Sequence, residues 1–439
     1  PEHEIAKITP DEIQIMKNGG NEDGIILDGS RKMKPLKFLP DADLEEADRL
    51  LVDLLVGNMT CPQGDRFLIL SWLSCFLLID FAGTRPMTRF EGSAGSGKTT
   101  ASKITSTLLY GEPQHKKATD AANYTDGSQN PLIVLDNIEV KQMTEDLTTF
   151  MLTSITGIAK EKRKSGTDSE TITERTKCLL NTTGIEPLCG ELSEILSRSF
   201  VINFDLANQA SDCFLESEVI SAIQQNRDLI ISAIMKRTSH VLAMIRDGAQ
   251  KQVMRLLHRT MPTHGKRRCN DYLSLMYLMM LAGSEEHEVT TGLEDLSPLF
   301  IEQIHSINDT SQEMARESNP IATALASLFH AYQNAVELDE KARYGEDDRA
   351  NHVVGFIERY QVRFENENTM EPVSAGRLLA ALRRVGREFN LEFEYKKPAQ
   401  LGRRISNDLD VIRDAGFDID RQRNAHTKNF EYRICHKSR

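Results

Sequence analysis

One segment constrains the fold more than any other, because it reads FEGSAGSGKTT between Phe90 and Thr100. The eight residues from Gly92 to Thr99 satisfy the pattern GxxxxGK[ST] in full. Residues 87–90 before it can form a short strand. After it, apolar residues recur at helical spacing from 101 to 108, until Gly111 ends the pattern. The sequence therefore predicts a strand, a glycine-rich loop and a helix in succession, as in an α/β fold with a parallel sheet.

A loop of this kind binds phosphate. Its glycines let successive backbone N–H groups point inward, and the helix N-terminus adds partial positive charge. Lys98 is predicted to reach the β and γ phosphates, and Thr99 to hold magnesium. ATP and Mg²⁺ are the predicted cofactors; a glycine-rich turn before an ordinary helix is the alternative. The predicted nucleotide-binding residues are Gly92, Ser93, Ala94, Gly95, Ser96, Gly97, Lys98, Thr99 and Thr100.

A buried strand that ends in an acidic residue follows further along the chain. Residues 132–135 form a continuous apolar run, as expected of a strand buried on both faces, and Asp136 comes directly after it. A P-loop needs such a carboxylate on a neighbouring strand to hold the metal. Asp136 therefore joins Thr99 as a predicted magnesium ligand, although a buried strand followed by a turn gives the same local pattern.

The general base is left open by the next position. Asn137 stands where many ATPases place a Glu that orients water. Glu139 is the nearest carboxylate and is the candidate base. It fits equally well as the first-turn Glu of a helix whose apolar spacing runs from Val140 to Ile155.

Two polar residues lie beside the next predicted strands. The strand Cys178–Leu180 ends at Asn181, whose amide can position water or form a turn. Arg198 precedes the strand Phe200–Phe204. Arg198 can stabilise developing phosphate charge on a neighbouring subunit, or it is a solvated Arg at a helix end.

In this order the motifs resemble the AAA+ ATPases, and more closely the superfamily-three-like replication helicases of phages, plasmids and integrative elements. The resemblance implies that Asn181 is sensor 1 and that Arg198 is an arginine finger. It also implies a homo-oligomeric, hexameric ring that acts on single-stranded or forked DNA. The matching segments, within Phe38–Asp205, are GSAGSGKT (92–99), IVLDN (133–137), LLNTTG (179–184) and LSRSF (196–200).

A basic stretch lies where that family inserts a DNA-contacting hairpin or loop, between Gly157 and Cys178. Gly166 supplies a turn, and Thr171 to Thr173 can start a returning strand. A solvated basic loop without a ligand is the alternative. The candidate DNA-binding residues are Lys160, Lys162, Arg163 and Lys164.

The end of the chain differs in charge from the rest. From Glu371 to Arg439 there are 15 Lys and Arg against 10 Asp and Glu, in a chain of net charge -12. Ser374 can cap a helix over 375–389, a second helix carries apolar residues from 401 to 412, and a β-ribbon follows Gly416. This resembles a winged helix-turn-helix, which binds DNA or docks proteins. Its candidate contacts are Arg403 and Asn407 at a groove, and Arg421, Arg423 and Lys428 at phosphates.

Composition and length complete the domain prediction. We expect an N-terminal extension (1–40), the AAA+ core (41–210), a helical lid with a linker (211–319), and a helical segment with the winged helix (320–439). The seven cysteines have no paired spacing, which indicates a reducing, cytoplasmic compartment. The apolar stretch Phe67–Phe81 is too short to span a bilayer and is predicted to be one buried helix, so no membrane partner is expected. Because Pro1 stands in place of an initiator Met, we expect either a fragment that lacks an upstream domain or a trimmed tag.

Together these features predict an ATP-dependent, ring-forming DNA helicase, translocase or remodelling ATPase of a mobile element. Two alternatives remain. One is an ATP-driven assembly switch, such as an initiator, loader or defence ATPase that does not translocate. The other is a small-molecule P-loop kinase, which would be monomeric.

Overall fold

The computed structural model describes residues 4–27, 32–114, 120–139, 142–163, 171–176, 178–185, 193–209, 215–260, 269–283, 296–306, 319–344, 351–389, 391, 395–424 and 430–436. The chain divides into an N-terminal unit (1–187 and 194–310) and a C-terminal unit (188–193 and 311–439). Within the described ranges, every helix is too short or too polar to cross a membrane.

The N-terminal unit alternates strands and helices and then becomes entirely helical. Its strands are β1 (Glu4–Ile8), β2 (Ile13–Lys17), β3 (Met87–Glu91), β4 (Leu132–Leu135), β5 (Ala159–Arg163), β6 (Thr171–Arg175), β7 (Leu179–Thr183) and β8 (Ser199–Asn203). Its helices are α1 (Leu44–Leu51), α2 (Gln63–Ser74), α3 (Lys98–Tyr110), α4 (Asp120–Gln129), α5 (Glu145–Thr156), α6 (Ser193–Leu196), α7 (Glu216–Arg246), α8 (Ala249–Thr260), α9 (Asn270–Ala282) and α10 (298–306).

A four-stranded parallel sheet lies at the centre of this unit, in the order β4–β7–β3–β8. All residues of β3, β4 and β7 are buried, as expected for parallel strands covered on both faces. This confirms the predicted α/β fold with a parallel sheet. The strand order also places β7 between the two strands that were expected to hold the nucleotide.

The helical region from α7 to α9 shares one hydrophobic core with the sheet and its helices. Its longest element, α7, packs along α3, the helix that follows the glycine-rich loop. Arg227 on α7 is 4% exposed and donates to the carbonyl oxygens of Leu108 and Leu109, at 2.9 and 2.7 Å. Since these are carbonyls of the last turn of α3, the guanidinium satisfies acceptors that have no partner within the helix.

Two predicted helices have different bounds. The helix expected from Val140 begins only at Glu145, because the hydroxyl of Thr144 accepts the Leu147 N–H and caps it there. The apolar stretch up to Phe81 is not one buried helix. The helix α2 ends at Ser74, and two short 3₁₀ turns leave Phe81 46% exposed.

The C-terminal unit combines helices with an antiparallel sheet in the order β11–β12–β10–β9. The ribbon β11–β12 and the Ser374 cap of α13 are as predicted, whereas β9 and β10 were not foreseen. The described elements are α11 (Pro320–Tyr344), α12 (His352–Tyr360), β9 (Phe364–Asn366), β10 (Thr369–Ser374), α13 (Ala375–Glu388), α14 (Pro398–Asn407), α15 (Leu409–Asp414), β11 (Phe417–Arg423) and β12 (Phe430–His436).

The second helix predicted in this unit, over 401–412, is two helices that meet at Asp408. This carboxylate is 3% exposed and accepts hydrogen bonds from Arg404 Nε at 2.6 Å and from Asn319 Nδ2 at 2.9 Å. The three side chains join the start of α11 to the α14–α15 junction. Burial of a charge is stable here because the charge is paired and hydrogen-bonded.

His436 makes the stability of the C-terminal unit depend on pH. Its ring stacks on Phe417 and contacts Phe329, and burial lowers its pKa below the usual value of about 6.5. The folded state therefore binds fewer protons than the unfolded state below that pH, and the free energy of unfolding falls as pH drops below about 6.5. Urea unfolding of wild type, His436→Gln and the exposed control His330→Gln measures this. We expect a weaker fall for His436→Gln only; equal slopes in all three chains would contradict the assignment.

Candidate active site

The glycine-rich loop joins the end of β3 to the start of α3, as predicted. Gly97 (φ 96°) lies directly before Lys98, and a Cβ there would lie 2.4 Å from the Thr60 hydroxyl oxygen. A Cβ on Gly92 (φ 142°) would lie 2.2 Å from the carbonyl oxygen of Phe204. Both positions therefore require glycine, for the left-handed backbone and for the close approach of other groups.

Lys98 folds back onto the loop that precedes it. Its ammonium group donates to the carbonyl oxygens of Gly92 at 2.8 Å and of Ser93 at 2.7 Å. Burial lowers its pKa below the usual value, while the negative charges of Glu139 and then Asp136 oppose that shift. The lysine thus lies among the loop carbonyls with two carboxylates in electrostatic range.

Thr99 and Asp136 lie side by side, as the sequence predicted for a shared metal ion. The Thr99 hydroxyl donates to Asp136 Oδ1 at 3.1 Å. A hydroxyl and a carboxylate are hard oxygen ligands of the kind Mg²⁺ takes. The described residues contain no cluster of three or more His, Cys, Asp or Glu that could hold a metal.

Thr183 completes this arrangement and was not foreseen. Its hydroxyl donates to Asp136 Oδ1 at 2.7 Å and accepts the backbone N–H of Asn137 at 2.8 Å. Asn137 itself has φ 57°, a left-handed conformation that Asn tolerates better than most residues. Thr183 therefore fixes both the Asp136 carboxylate and the turn after it.

Asn181 does not end its strand, contrary to the prediction. It lies within β7, fully buried and paired with Val134, two residues before the strand ends. Its Oδ1 accepts from the Ser102 hydroxyl at 2.7 Å, and its Nδ2 donates to the Thr88 hydroxyl at 2.9 Å. Both ends of the amide are thus engaged between α3 and β3. Thr183 is on the same face of β7 and lies at the carboxyl end of this strand, where sensor 1 was predicted.

Glu139 lies six residues before Glu145, the first residue of α5, so it is not the first-turn Glu of that helix. Its Oε1 accepts the backbone N–H of Ile185 at 3.0 Å, in the segment after β7. Its charge is the largest electrostatic influence that raises the pKa of Lys98. The structure therefore brings Lys98, Thr99, Asp136 and Glu139 to one edge of the sheet.

Arg89 is a buried cation beneath this edge that sequence analysis missed. It is fully buried on β3 and pairs with Glu91, Nε to Oε1, at 3.1 Å. Its Nη1 donates to the carbonyl oxygens of Ile138 at 2.8 Å and Thr183 at 2.9 Å. One guanidinium thus ties the strand before the loop to the segments that carry Asp136 and Glu139.

Glu216 links the loop helix to α7. It accepts the Thr100 hydroxyl at 2.5 Å and the Lys103 ammonium at 2.6 Å. Glu216 is in the first turn of α7, where a negative charge is stabilised by the helix dipole. The predicted nucleotide-binding residue Thr100 is thereby joined to the helical part of the unit.

Arg198 lies at the amino end of β8, whereas the glycine-rich loop follows the carboxyl end of the neighbouring strand β3. It precedes β8, whose first residue Ser199 pairs with Met87 at the start of β3. Five residues of strand span roughly 13 Å between their first and last Cα atoms. The guanidinium of Arg198 pairs with the Glu194 carboxylate at 2.8 Å. The structure therefore does not bring Arg198 to the glycine-rich loop of its own chain.

The basic insertion contains a hairpin. The strands β5 and β6 are antiparallel, with Ala159 paired to Arg175 and Arg163 paired to Thr171. Lys160, Lys162 and Arg163 are in β5, but their side chains are outside the described structure, as is the whole of Lys164. The backbone thus places three of the four predicted DNA-binding positions on one strand of a hairpin.

In the C-terminal unit, the described arginines of the predicted DNA site are exposed. Arg403 is on α14, and Arg421 and Arg423 are on β11. Arg421 lies over the Phe430 ring at 3.6 Å and donates to the Ser406 hydroxyl at 3.4 Å, which connects the ribbon to α14. Asn407 is the last residue of α14, and its side chain, like all of Lys428, lies outside the described structure.

Comparison with known proteins gives structural likeness only. No family model and no curated protein matches the chain. The fold is similar to the solved structure "SCCmec type IV Cch - active helicase" (12% identity, 98% of this chain, 76% of that chain, TM-score 0.49). It is also similar to the apo structure of the NrS-1 C terminal region (13% identity, 94% of this chain, 79% of that chain, TM-score 0.39). An activity for this chain must therefore be argued from its own site.

Thr183 offers a test of the site that leaves the glycine-rich loop unchanged. Thr183→Val keeps the shape of the side chain but removes the hydroxyl that holds Asp136. For the ATP hydrolysis that the sequence predicts, we expect kcat to fall roughly tenfold or more, because a hydrogen bond to a charged group contributes about 1.5–3 kcal/mol. Thr183→Ser restores the hydroxyl and should retain most of the activity. Equal kcat values for the Val and Ser variants would rule out this role.

Proposed function

We propose that the chain is a magnesium-dependent ATPase. The observation that carries this proposal is the contact between the Thr99 hydroxyl and the Asp136 carboxylate at 3.1 Å, beside Lys98 and a loop with two obligatory glycines. These groups come from three different elements and meet at the carboxyl edge of a parallel sheet, where α/β proteins bind their ligands.

The protein groups have separate tasks in this proposal. Backbone N–H groups of residues 92–99 and the N-terminus of α3 bind the phosphates. Lys98 neutralises charge on the β and γ phosphates, while Thr99 and Asp136 hold Mg²⁺. Bound Mg²⁺ supplies further neutralisation of the phosphate charge. Thr183 keeps Asp136 in place, so the carboxylate needs no reorientation when it takes up the metal.

Glu139 is the best placed of the candidate residues to accept a proton from the attacking water. Its carboxylate is fixed by the Ile185 N–H and acts electrostatically on Lys98, so it lies on the phosphate side of the sheet edge. The role of Asn181 is structural in this proposal, because both ends of its amide are engaged inside the sheet. Thr183 takes the polar position at the end of β7.

We further propose that several copies form a ring, with Arg198 acting on the nucleotide of the adjacent copy. Because Arg198 is at the amino end of its strand, it cannot reach a nucleotide bound by its own chain. It can reach one that is bound by an adjacent chain. The β5–β6 hairpin contacts DNA through Lys160, Lys162, Arg163 and Lys164. The resulting activity is that of a DNA helicase or translocase.

The C-terminal unit is the second proposed DNA contact. Arg403 and Arg421 are exposed on adjoining elements, and the Ser406 bond holds the ribbon against α14. Arg423 extends the same proposed surface, and Lys428 and Asn407 remain proposed DNA contacts from the sequence. Guanidinium groups recognise phosphate in a bidentate manner, and Arg421 is already oriented by the Phe430 ring.

The first test is ATP hydrolysis with and without single-stranded DNA. We expect wild type to hydrolyse ATP, to be stimulated by the DNA and to displace a strand from a forked duplex. Lys98→Ala should lose hydrolysis, because the charge on the β and γ phosphates is no longer neutralised. Lys251→Ala, at an exposed position on α8, is the matched control and should behave as wild type.

Different outcomes of this assay separate the alternatives. ATP-dependent assembly without strand displacement would indicate the assembly switch. A persistent monomer with turnover only in the presence of an acceptor would indicate a kinase. Absence of any nucleotide binding by wild type would refute the ATPase proposal itself.

The ring proposal has its own test, in which two inactive variants are mixed. Arg198→Ala is expected to lower kcat by about a thousandfold, the lower end of what an arginine finger contributes. Mixing it with Lys98→Ala should restore part of the activity. At one kind of interface, an intact Arg198 then meets an intact Lys98 on the adjacent chain. Arg246→Ala, at an exposed position, is the control. No recovery on mixing would mean that Arg198 does not act between chains.

A further inference from the structure

A cavity in the N-terminal unit lies among α1, α2, α7 and α9 and has no part in the nucleotide site. Its volume is 230 Å³. The wall is mainly apolar, and two adjacent methionines of α9, Met279 and Met280, contribute to it together with Phe67, Leu70 and Ile234. Thioether side chains adapt to ligands of irregular shape, so such a wall suits an apolar body without dictating one outline.

The cavity contains one buried cation. Arg237 on α7 lines it and is 8% exposed. Its Nη2 donates to Asp48 Oδ2 at 2.5 Å, and this bond occupies only one of the three guanidinium nitrogens. The buried Nε has no hydrogen-bond partner among the residues that the structure describes. An unsatisfied buried donor is destabilising, so its presence in a cavity wall points to an acceptor that is supplied from outside.

Gly283 lies beside this donor. A Cβ on Gly283 would lie 3.4 Å from Arg237 Nε and 3.6 Å from its Cζ. The backbone of Gly283 is right-handed (φ -95°), so conformation alone does not require glycine there. The absence of a side chain therefore leaves space next to the guanidinium.

The charges select the class of ligand. Among the described residues that line the cavity, Arg237 is the one cation and Asp48 the one anion. The pair is neutral overall, which disfavours polyanions such as nucleotides. A guanidinium edge matches a carboxylate, and the remaining wall is apolar. We propose that this cavity binds a small organic carboxylate with an apolar body, whose carboxylate accepts from Arg237 Nε. The proposal is independent of the ATPase proposal.

The probe is sodium octanoate, titrated into the full chain labelled with ¹³C at the methionine methyl groups. We expect saturable shifts of the Met279 and Met280 signals, which are identified with Met279→Leu and Met280→Leu. Octanol lacks the carboxylate and cannot form the charge-assisted hydrogen bond, so its affinity should be lower by about tenfold or more. This readout needs neither nucleotide nor DNA.

Variants distinguish the proposed site from a merely apolar groove. Arg237→Met and Gly283→Ala should each weaken octanoate binding about tenfold or more, the first by removing the donor and the second by covering it. Gly283→Ala keeps the Arg237–Asp48 pair, so it decides the matter if Arg237→Met does not fold. Arg246→Gln, an exposed arginine on the same helix, should bind as wild type. Equal binding of octanol and octanoate, shifts that do not saturate, or wild-type affinity in Gly283→Ala would overturn the proposal.

Discussion

The two hydrogen bonds that Asp136 accepts, from Thr99 and from Thr183, are the constraint on which the site depends. They connect the loop helix, the Asp136 carboxylate and the inner strand β7 of the sheet. The arrangement requires β7 to lie between β3 and β4, because only then can one side chain reach from the middle strand to its neighbour's end. The fold and the chemistry are thus fixed by the same strand order.

The buried charges of β3, before the glycine-rich loop, support this geometry. Arg89 is buried at a cost, since a desolvated cation must be compensated by partners, and here it has Glu91 and two backbone carbonyls. Those carbonyls belong to Ile138 and Thr183, so the cation holds together the segments that position Asp136 and Glu139. A substitution of Arg89 inside the sheet therefore alters the segments that position Asp136 and Glu139, although Arg89 is not itself a proposed ligand. Residues that determine this site include interior positions as well as loop positions.

Local sequence patterns predicted the glycine-rich loop, its helix and the acidic strand end, because each depends on a few adjacent residues. Asp136 could be found in this way, but Thr183 and Arg89 could not, since their partners are set by strand order. Asn181 was misplaced because a polar residue after an apolar run suggests a strand end, whereas Ser102 and Thr88 satisfy it inside the sheet. The late start of α5 and the break at Asp408 likewise follow from particular hydrogen bonds rather than from apolar periodicity.

The attachment of α7 to the loop helix has a mechanical consequence. Glu216 holds α7 near the start of α3, and Arg227 holds it at the last turn, so the two helices are fastened at two points. With 31 residues, α7 is roughly 46 Å long. Further along α7, Arg237 pairs with Asp48 and Arg246 pairs with Asp11, so the helix is held well beyond α3. The loop helix therefore cannot shift without carrying α7 and these partners with it.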